Sequence, residues 1–252
     1  EANLTDANKE YLQKYLDVTK SQMFFAKGII FVEGISEAIL LPEIAKILDR
    51  PLEKYAVELV NVDSVAFSPF VNLFSSQNVQ TCFSKVAIVT DDDRCTKKSE
   101  TNYINKDFDY DDVNSDISGK LLSGTPSERC NELETLCRAV GINVFKATKT
   151  LEYALCCDEN NIEYFIEAIK SEYSQLGPAL EQKVNSLHDM NEKAACVWLF
   201  IRAREKCKGA IAQYISQIIK KQCEMRKRGE NIEKEFVIPD YLKEAVYCVT
   251  ER

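Results

Sequence analysis

Residues 28–48 read GIIFVEGISEAILLPEIAKIL, and this stretch decides the fold class. Its first five residues form a short apolar run rich in β-branched side chains, which is typical of a strand buried on both faces of a parallel sheet. The run stops at Glu33-Gly34, and apolar residues then recur at helical spacing from Ser36 to Leu48, with Ser36 as the predicted N-cap. The stretch therefore predicts a strand, a tight turn and a helix.

The same alternation continues downstream. Further strands are predicted at 57–62, 85–90 and 143–146, and helices at 68–73 and 125–140, the second closed by Gly141. From residue 160 onward the pattern is helical, at 162–173, 192–221 and 241–249. Residues 94–124 are polar and acidic, so they are predicted to be the least ordered. The pattern indicates an α/β fold with a mostly parallel sheet flanked by helices and a C-terminal helical extension.

The composition excludes several classes of protein. No run approaches the roughly 18 apolar residues that span a bilayer, and residues 1–6 have no signal-peptide character, so we expect a cytoplasmic protein without a membrane partner. The 10 cysteines include no Cys-x-x-Cys pair, and we expect reduced thiols. Because His188 is the only histidine, a zinc site, a Ser-His or Cys-His triad and a histidine-dependent nuclease are all disfavoured.

The net charge of -8 argues against a nucleic-acid partner, but the charges are unevenly distributed. Acidic residues concentrate at 91–93 and again at 107–116. The basic residues that we take as candidates for DNA binding are Arg202, Lys206, Lys220, Lys221, Arg226, Lys227 and Arg228. An acidic centre with basic flanks suits a site that binds cations and then a polyanion, whereas the alternative is that both runs are solvated surface.

Acidic residues also follow two predicted strands. Glu33 ends the first, and Asp91 with Asp93 ends the strand at 85–90; alternation directs these two aspartates the same way and Asp92 the opposite way. Glu37 lies four residues after Glu33, on the first turn of the helix. Carboxylates at adjacent strand ends suit hard divalent cations, and a pair of such ions can hydrolyse a phosphodiester. The expected cofactors are therefore two Mg²⁺ or Mn²⁺ ions.

At these residues the chain resembles a known family. The motifs Phe31-Val32-Glu33-Gly34 and Val89-Thr90-Asp91-Asp92-Asp93 resemble the Toprim signature of a Glu after one strand and Asp-x-Asp after another. Further segments are similar to nucleases of the OLD (overcoming lysogenisation defect) family. They are 15–20, 24–27, Thr148-Lys149-Thr150-Leu151-Glu152-Tyr153, Lys208-Gly209-Ala210 and Ile238-Pro239-x-Tyr241-Leu242-Lys243.

The resemblance implies a DNA endonuclease that uses two metal ions. It implies that Glu33, Glu37, Asp91 and Asp93 are metal ligands, Glu152 a further ligand or acid-base group, and Lys208 a cation that stabilises charge on the phosphorane. Glu33, Glu152 and Lys208 are thus the expected catalytic residues. This chain departs from the family at Val62-Asp63-Ser64, where many relatives have a glycine, and in its acidic loop before Gly124.

The resemblance also implies an ATPase domain upstream in the full-length chain, through which alone ATP would act, and a role in anti-phage defence. The chain has no initiator Met and no Gly-x-x-x-x-Gly-Lys-Ser/Thr motif, and residues 6–26 read as a helix whose apolar residues imply packing, so we expect a fragment. The expected organisation is a helical lead-in at 1–27, a Toprim catalytic domain at 28–157 and a helical extension at 158–252 that contributes a basic residue to the site.

Several alternatives stay open at this point. Other Toprim enzymes are topoisomerases and primases, which need a nucleophilic tyrosine module or a zinc module that the sequence does not show. A catalytically silent Toprim-like domain that only dimerises or docks a partner is a further alternative, although mutually repelling acids would then have no purpose. A homo-oligomer is also compatible with the sequence.

Overall fold

The computed structural model describes residues 20–63, 66–74 and 85–251. Most of the helix predicted over residues 6–26 lies outside the described residues, and its last part, Lys20–Phe25, is a 3-10 helix. No helix in the described part of the chain is both long and apolar enough to cross a membrane. The described cysteines are free thiols, as expected.

The described strands form one parallel sheet. They are β1 (Gly28–Val32), β2 (Val57–Asn61), β3 (Lys85–Asp91) and β4 (Asn143–Ala147), in the order β2-β1-β3-β4. β1 pairs with β2 from Gly28↔Val57 and with β3 from Gly28↔Lys85. All residues of β1 are buried, as expected for a central strand covered on both faces. The predicted strands and the α/β fold class are therefore confirmed.

Ten α-helices are described. They are α1 (Ile35–Ile47), α2 (Ser68–Leu73), α3 (Ser115–Ser123), α4 (Glu128–Val140), α5 (Leu151–Cys156), α6 (Glu159–Glu172), α7 (Leu176–Ser186), α8 (Met190–Arg202), α9 (Lys208–Arg228) and α10 (Asp240–Thr250). Short 3-10 helices lie at Leu52–Tyr55, Tyr110–Asp112 and Glu205–Cys207. Gly141 follows α4 with φ 78°, the left-handed conformation that closes a helix at low cost with glycine.

The chain divides into two compact units that interleave along the sequence. The sheet unit comprises Glu1–Thr90, Glu128–Lys146 and Asp240–Arg252, and the helical unit comprises Asp91–Ser127 and Ala147–Pro239. The organisation expected from the sequence, with boundaries at residues 27 and 157, stays a prediction.

The sheet unit has a core on each face of β1. Ile29 and Phe31 join a cluster with residues of α2 and α4, including Phe70 and Leu133. On the opposite face α10 packs so closely that a Cβ on Gly28 would lie 2.9 Å from the Val249 carbonyl oxygen. A glycine at the start of β1 therefore allows α10 to approach the strand.

The helical unit is built around α8. Its residues from Ala194 to Ile201 are all buried, as expected of a helix surrounded by others, and α3, α5, α6 and α7 pack against it. The acidic segment 94–124 belongs to this unit and is ordered: it contains α3 and buries Ile104, Tyr110 and Leu121. The prediction of low order was wrong, because scattered apolar residues of this segment pack on α8 even though its average composition is polar.

Two arginines attach the acidic segment to α8. The Arg202 guanidinium donates to the carbonyl oxygens of Asn105 (3.0 Å) and Phe108 (2.8 Å). Arg204 forms a bidentate ion pair with Asp109, at 2.8 Å for each hydrogen bond. Burial opposes ionisation of Asp109, but hydrogen bonds from Arg204 and the Tyr110 amide outweigh it and hold the pKa of this carboxyl below its ordinary value.

This ion pair predicts a dependence of stability on pH. Because the folded pKa of Asp109 is depressed, its contribution is present above the ordinary aspartate pKa of about 3.9 and is lost as pH falls through the folded value. Asp109→Asn should lower the free energy of unfolding by about 1 kcal/mol at pH 7, a modest value because the pair is partly exposed. Urea unfolding should show that the difference in unfolding free energy between wild type and Asp109→Asn is smaller at pH 3 than at pH 7. The control Asp107→Asn changes an exposed residue and should unfold like wild type at both pH values. If Asp109→Asn were destabilised equally at pH 7 and pH 3, the ion pair with Arg204 would not be the source of the pH dependence.

Two local predictions were wrong. The helix predicted at 192–221 is interrupted between α8 and α9, since the Arg204 amide bonds to the Ile201 carbonyl and the Arg204 guanidinium takes the Phe200 carbonyl that a continuing helix would use. Ser36 is not an N-cap: extended Gly34 occupies that position, and Ser36 is buried within the first turn of α1. The helices α3, α5 and α7 were not predicted.

Candidate metal centre

Glu33 lies at the carboxyl end of β1 in the sheet unit. Since Val32 is in register with Val89, the next residues, Glu33 and Thr90, are neighbours, and the Thr90 hydroxyl donates to Glu33 Oε2 at 2.6 Å. Arg129 of α4 places its Nη2 3.6 Å from the same oxygen. The Glu33 carboxylate is therefore oriented by a hydroxyl and faced by a cation.

Glu37 occupies the first turn of α1 and is only 6% exposed. Its Oε2 would be 3.3 Å from a Cβ placed on Gly34, which is tighter than about nine in ten real contacts of a Cβ atom. Glycine after Glu33 thus leaves room for a buried carboxylate beside the turn.

Asp91 is the last residue of β3 and the first residue of the helical unit. Its Oδ1 accepts a hydrogen bond of 2.9 Å from the Leu151 amide, at the start of α5. Asp93 is held through its backbone: its amide donates to the Lys149 carbonyl at 3.3 Å, and its φ of 50° is left-handed. The loop that carries both aspartates is therefore joined to the segment that carries Glu152.

Asp92 has a structural role. It is 2% exposed, forms an ion pair of 2.6 Å with Arg94 and accepts the Lys149 amide at 2.9 Å. Its contacts differ from those of Asp91, which accepts the Leu151 amide.

Glu152 and Lys208 meet in the helical unit although they are far apart in sequence. Lys208 Nζ lies 3.6 Å from Glu152 Oε1, and the side chains are 33% and 6% exposed respectively. The structure therefore brings together the two residues to which only the family resemblance gave a role.

Lys149 was missed as a candidate although it lies inside the quoted motif 148–153. It is 5% exposed, its φ is 65°, and its ammonium donates to the Arg94 carbonyl at 2.7 Å and lies 5.3 Å from the centroid of the Trp198 ring. Burial lowers the pKa of Lys149. Nothing in the sequence signals that Lys149 is buried, because a lysine after a strand is normally exposed.

Thr90 and Arg129 were also missed. Thr90 had a visible signal, since it is the polar residue at the end of the apolar run 86–89. Arg129 had none, because its position beside Glu33 depends on how α4 packs in the sheet unit.

The basic residues proposed for DNA binding are not equivalent. The Arg202 guanidinium stacks 4.6 Å from the Trp198 centroid and donates to carbonyls, which disfavours a phosphate contact. Arg226 pairs with Glu235, and Arg228 with Glu224 and Glu230. Four lysines are exposed, namely Lys206, Lys220, Lys221 and Lys227.

The carboxylates fit a hard divalent cation by chemistry. All the candidate donors are oxygen atoms, which suits Mg²⁺ or Mn²⁺ better than zinc. Among residues 20–63, 66–74 and 85–251, no three His, Cys, Asp or Glu side chains form a preassembled cluster. Glu33 and Glu37 belong to the sheet unit, and Asp91, Asp93 and Glu152 belong to the helical unit.

A parallel sheet with a glutamate after β1 and Asp-x-Asp beginning at the last residue of β3 resembles a Toprim-type domain. Comparison with protein families agrees: residues 24–93 match the family described as overcoming lysogenization defect protein-like, TOPRIM domain. This match includes Glu33, Glu37, Asp91 and Asp93. The family match therefore covers an OLD-like Toprim region at residues 24–93 of this chain.

Solved structures of similar fold extend the likeness beyond residue 93. The C-terminal region of the Xanthomonas campestris pv. campestris OLD protein has a TM-score of 0.54 at 21% identity, over 91% of this chain and 95% of that one. The C-terminal region of the Burkholderia pseudomallei OLD protein has a TM-score of 0.54 at 20% identity, over 90% and 98%. At such identities the likeness establishes the fold. A comparison with curated proteins finds no match.

Proposed function

We propose that this chain hydrolyses DNA phosphodiester bonds with two Mg²⁺ or Mn²⁺ ions, as the nuclease part of an OLD-type ATPase and nuclease. The observation that supports this is that the Asp91 carboxylate accepts a hydrogen bond from the Leu151 amide, one residue before the buried Glu152, whose Oε1 lies 3.6 Å from the partly exposed Lys208 ammonium. Two acids and a lysine that are far apart in sequence thus belong to the same compact unit. The Toprim match over residues 24–93 supports the same function.

Each residue has a part in this mechanism. Glu33, Glu37, Asp91 and Asp93 are the proposed ligands, and bound ions would supply a nucleophilic water and neutralise phosphate charge. Thr90 and Arg129 orient Glu33. Glu152 serves as a further ligand or holds the proton that the water loses. Lys208 stabilises the negative charge that develops on the phosphorane, where a fixed cation has its largest effect.

DNA is the proposed substrate, and α9 offers a path for its backbone. This helix has 21 residues and is therefore about 30 Å long, with Lys208 at its first residue and Lys227 near its last. That length corresponds to about nine base pairs. Lys220, Lys221 and Lys227 are the preferred phosphate contacts, because Arg226 and Arg228 already pair with glutamates.

The proposed partner within the full-length chain is an upstream ATPase domain, through which ATP would regulate cleavage. The solved relatives are C-terminal regions of OLD proteins, which agrees with such an arrangement. Anti-phage defence and a homo-oligomeric state are further proposals that rest on the resemblance.

Cleavage of supercoiled plasmid tests the function. With Mn²⁺ the chain should convert plasmid to nicked or linear DNA, and EDTA should stop the reaction. Glu33→Gln should lose the Mn²⁺-dependent cutting, whereas Glu43→Gln, which removes a surface pair with Lys46, should retain it. Equal cutting by all proteins would mean a contaminant or another site.

The same reaction separates the other Toprim chemistries. Denaturant added during cleavage should trap no covalent protein-DNA adduct, since hydrolysis proceeds without one. An adduct would favour a topoisomerase. A silent domain would neither cut DNA nor bind Mn²⁺ through its carboxylates.

A further inference from the structure

Five hydrogen bonds join the Asp91–Arg94 loop to residues 147–151. Two come from the flanks of the segment: the Asp92 amide donates to the Ala147 carbonyl at 3.1 Å, and the Leu151 amide donates to Asp91 at 2.9 Å. The other three involve a single residue, Lys149. Its amide donates to Asp92 at 2.9 Å, its carbonyl accepts from the Asp93 amide at 3.3 Å, and its ammonium donates to the Arg94 carbonyl at 2.7 Å.

The backbone of Lys149, which makes two of these hydrogen bonds, has a left-handed conformation that is unusual for a residue other than glycine. Its φ is 65°, and those of Asp93 and Cys95 are 50° and 64°. Left-handed backbone is disfavoured for residues other than glycine, so it persists where surrounding contacts hold it. A backbone with several such residues needs an anchor to keep one conformation.

The Lys149 side chain supplies that anchor. Its ammonium is buried, lies 5.3 Å from the centroid of Trp198 and is close enough to Asp91 and Asp93 to interact with their charges. The Arg202 guanidinium also contacts this ring, at 4.6 Å from its centroid. Trp198 therefore contacts two cations, and one of them, Lys149, also donates a hydrogen bond to the Asp91–Arg94 loop.

We infer that Lys149 is a positioning residue that holds the Asp91–Arg94 loop in the metal-binding conformation before any ion arrives. A fixed positive charge offsets the mutual repulsion of Asp91 and Asp93, and the bond to the Arg94 carbonyl stops the loop from turning away. Residues of this kind act through the ligands and typically change metal affinity by about 10-fold to 100-fold. Because this inference rests on the proposed function, its test must distinguish the failure of one from the failure of the other.

Mn²⁺ calorimetry on the whole chain provides the test, with Lys149→Met, Lys149→Arg and the control Lys170→Met. Lys149→Met keeps the aliphatic stem but removes the charge and the donor, and should weaken Mn²⁺ binding at least about tenfold. Lys149→Arg should recover part of the affinity. Lys170→Met, which breaks a half-exposed pair with Glu181, should bind like wild type.

Fluorescence gives a second, local measurement, because Trp198 is the only tryptophan in the chain. Diamagnetic Mg²⁺ should change its emission in wild type and in Lys170→Met, and the change should be lost in Lys149→Met. A lysine with only a structural role would change the stability of the fold but would leave the Mg²⁺-dependent change in Trp198 emission intact.

The outcomes separate cleanly. Wild-type Mn²⁺ binding that Lys149→Met leaves unchanged overturns the positioning role while the proposed function stands. No Mn²⁺ binding by wild type overturns both. If Lys149→Met does not fold, Trp198→Leu decides: removal of the ring should weaken Mn²⁺ binding about threefold or more, and an unchanged affinity overturns the inference.

Discussion

Asp91→Asn is expected to lose Mn²⁺-dependent DNA cleavage by about a thousandfold or more while the protein stays folded. A ligand carboxylate contributes several kcal/mol through the charge it places on the ion, and 4 kcal/mol corresponds to about a thousandfold in rate. The asparagine oxygen can still accept the hydrogen bond from Leu151, so the start of α5 should keep its place. Single-turnover cleavage and thermal unfolding together measure the two effects.

Asp92→Asn is the matched comparison, because it makes the same chemical change one residue away. Asp92 is buried and paired with Arg94, and loss of one partner of a buried ion pair costs about 3 kcal/mol. Its Tm should fall by roughly 6–12 °C. Of the two variants, Asp91→Asn should therefore lose more activity and Asp92→Asn more stability. The reverse result would show that Asp92, and not Asp91, faces the ion.

Lys208→Met is expected to lower the rate of cleavage about 100-fold to 1000-fold, with Mn²⁺ affinity within about threefold of wild type. The lysine acts on charge that exists only in the transition state, so its loss should appear in kcat more than in KM. Removal of the cation takes away the positive charge 3.6 Å from Glu152, which is 5% exposed, and this should not weaken a divalent ion bound nearby.

Lys206→Met provides the control for that experiment. Lys206 is exposed and lies in the 3-10 helix just before α9, so it tests whether any loss of local positive charge slows cleavage. It should reduce activity by a small factor that shrinks at higher salt. Equal losses in Lys206→Met and Lys208→Met would assign Lys208 to general electrostatics and remove it from the mechanism.

The strands were predictable because their signals are local. Continuous β-branched runs at Gly28–Val32 and Lys85–Asp91 mark buried parallel strands wherever they occur, and the acids that follow them stand at strand ends by sequence alone. Gly141 closing α4 is equally local, since only the backbone of that residue decides it.

The errors arose where distant contacts override local composition. The segment 94–124 reads as polar and disordered, yet Arg202 and Arg204 hold it against α8. The same Arg204 interrupts the apparently continuous helix at 192–221, since its side chain takes a carbonyl of that helix. No window of ten or twenty residues contains both Asp109 and Arg204, which are 95 positions apart.

The sequence alone determined the class of sheet, the strand ends at which acids stand and the oxygen-only character of the donors, because each depends on neighbours within a few positions. Tertiary structure alone decided that Asp92 pairs with Arg94 while Asp91 caps onto the Leu151 amide, that Lys208 reaches Glu152, and that Lys149 is buried against Trp198. These contacts depend on which side chains are buried together. Burial is a property of the packed chain, and no local sequence pattern specifies it.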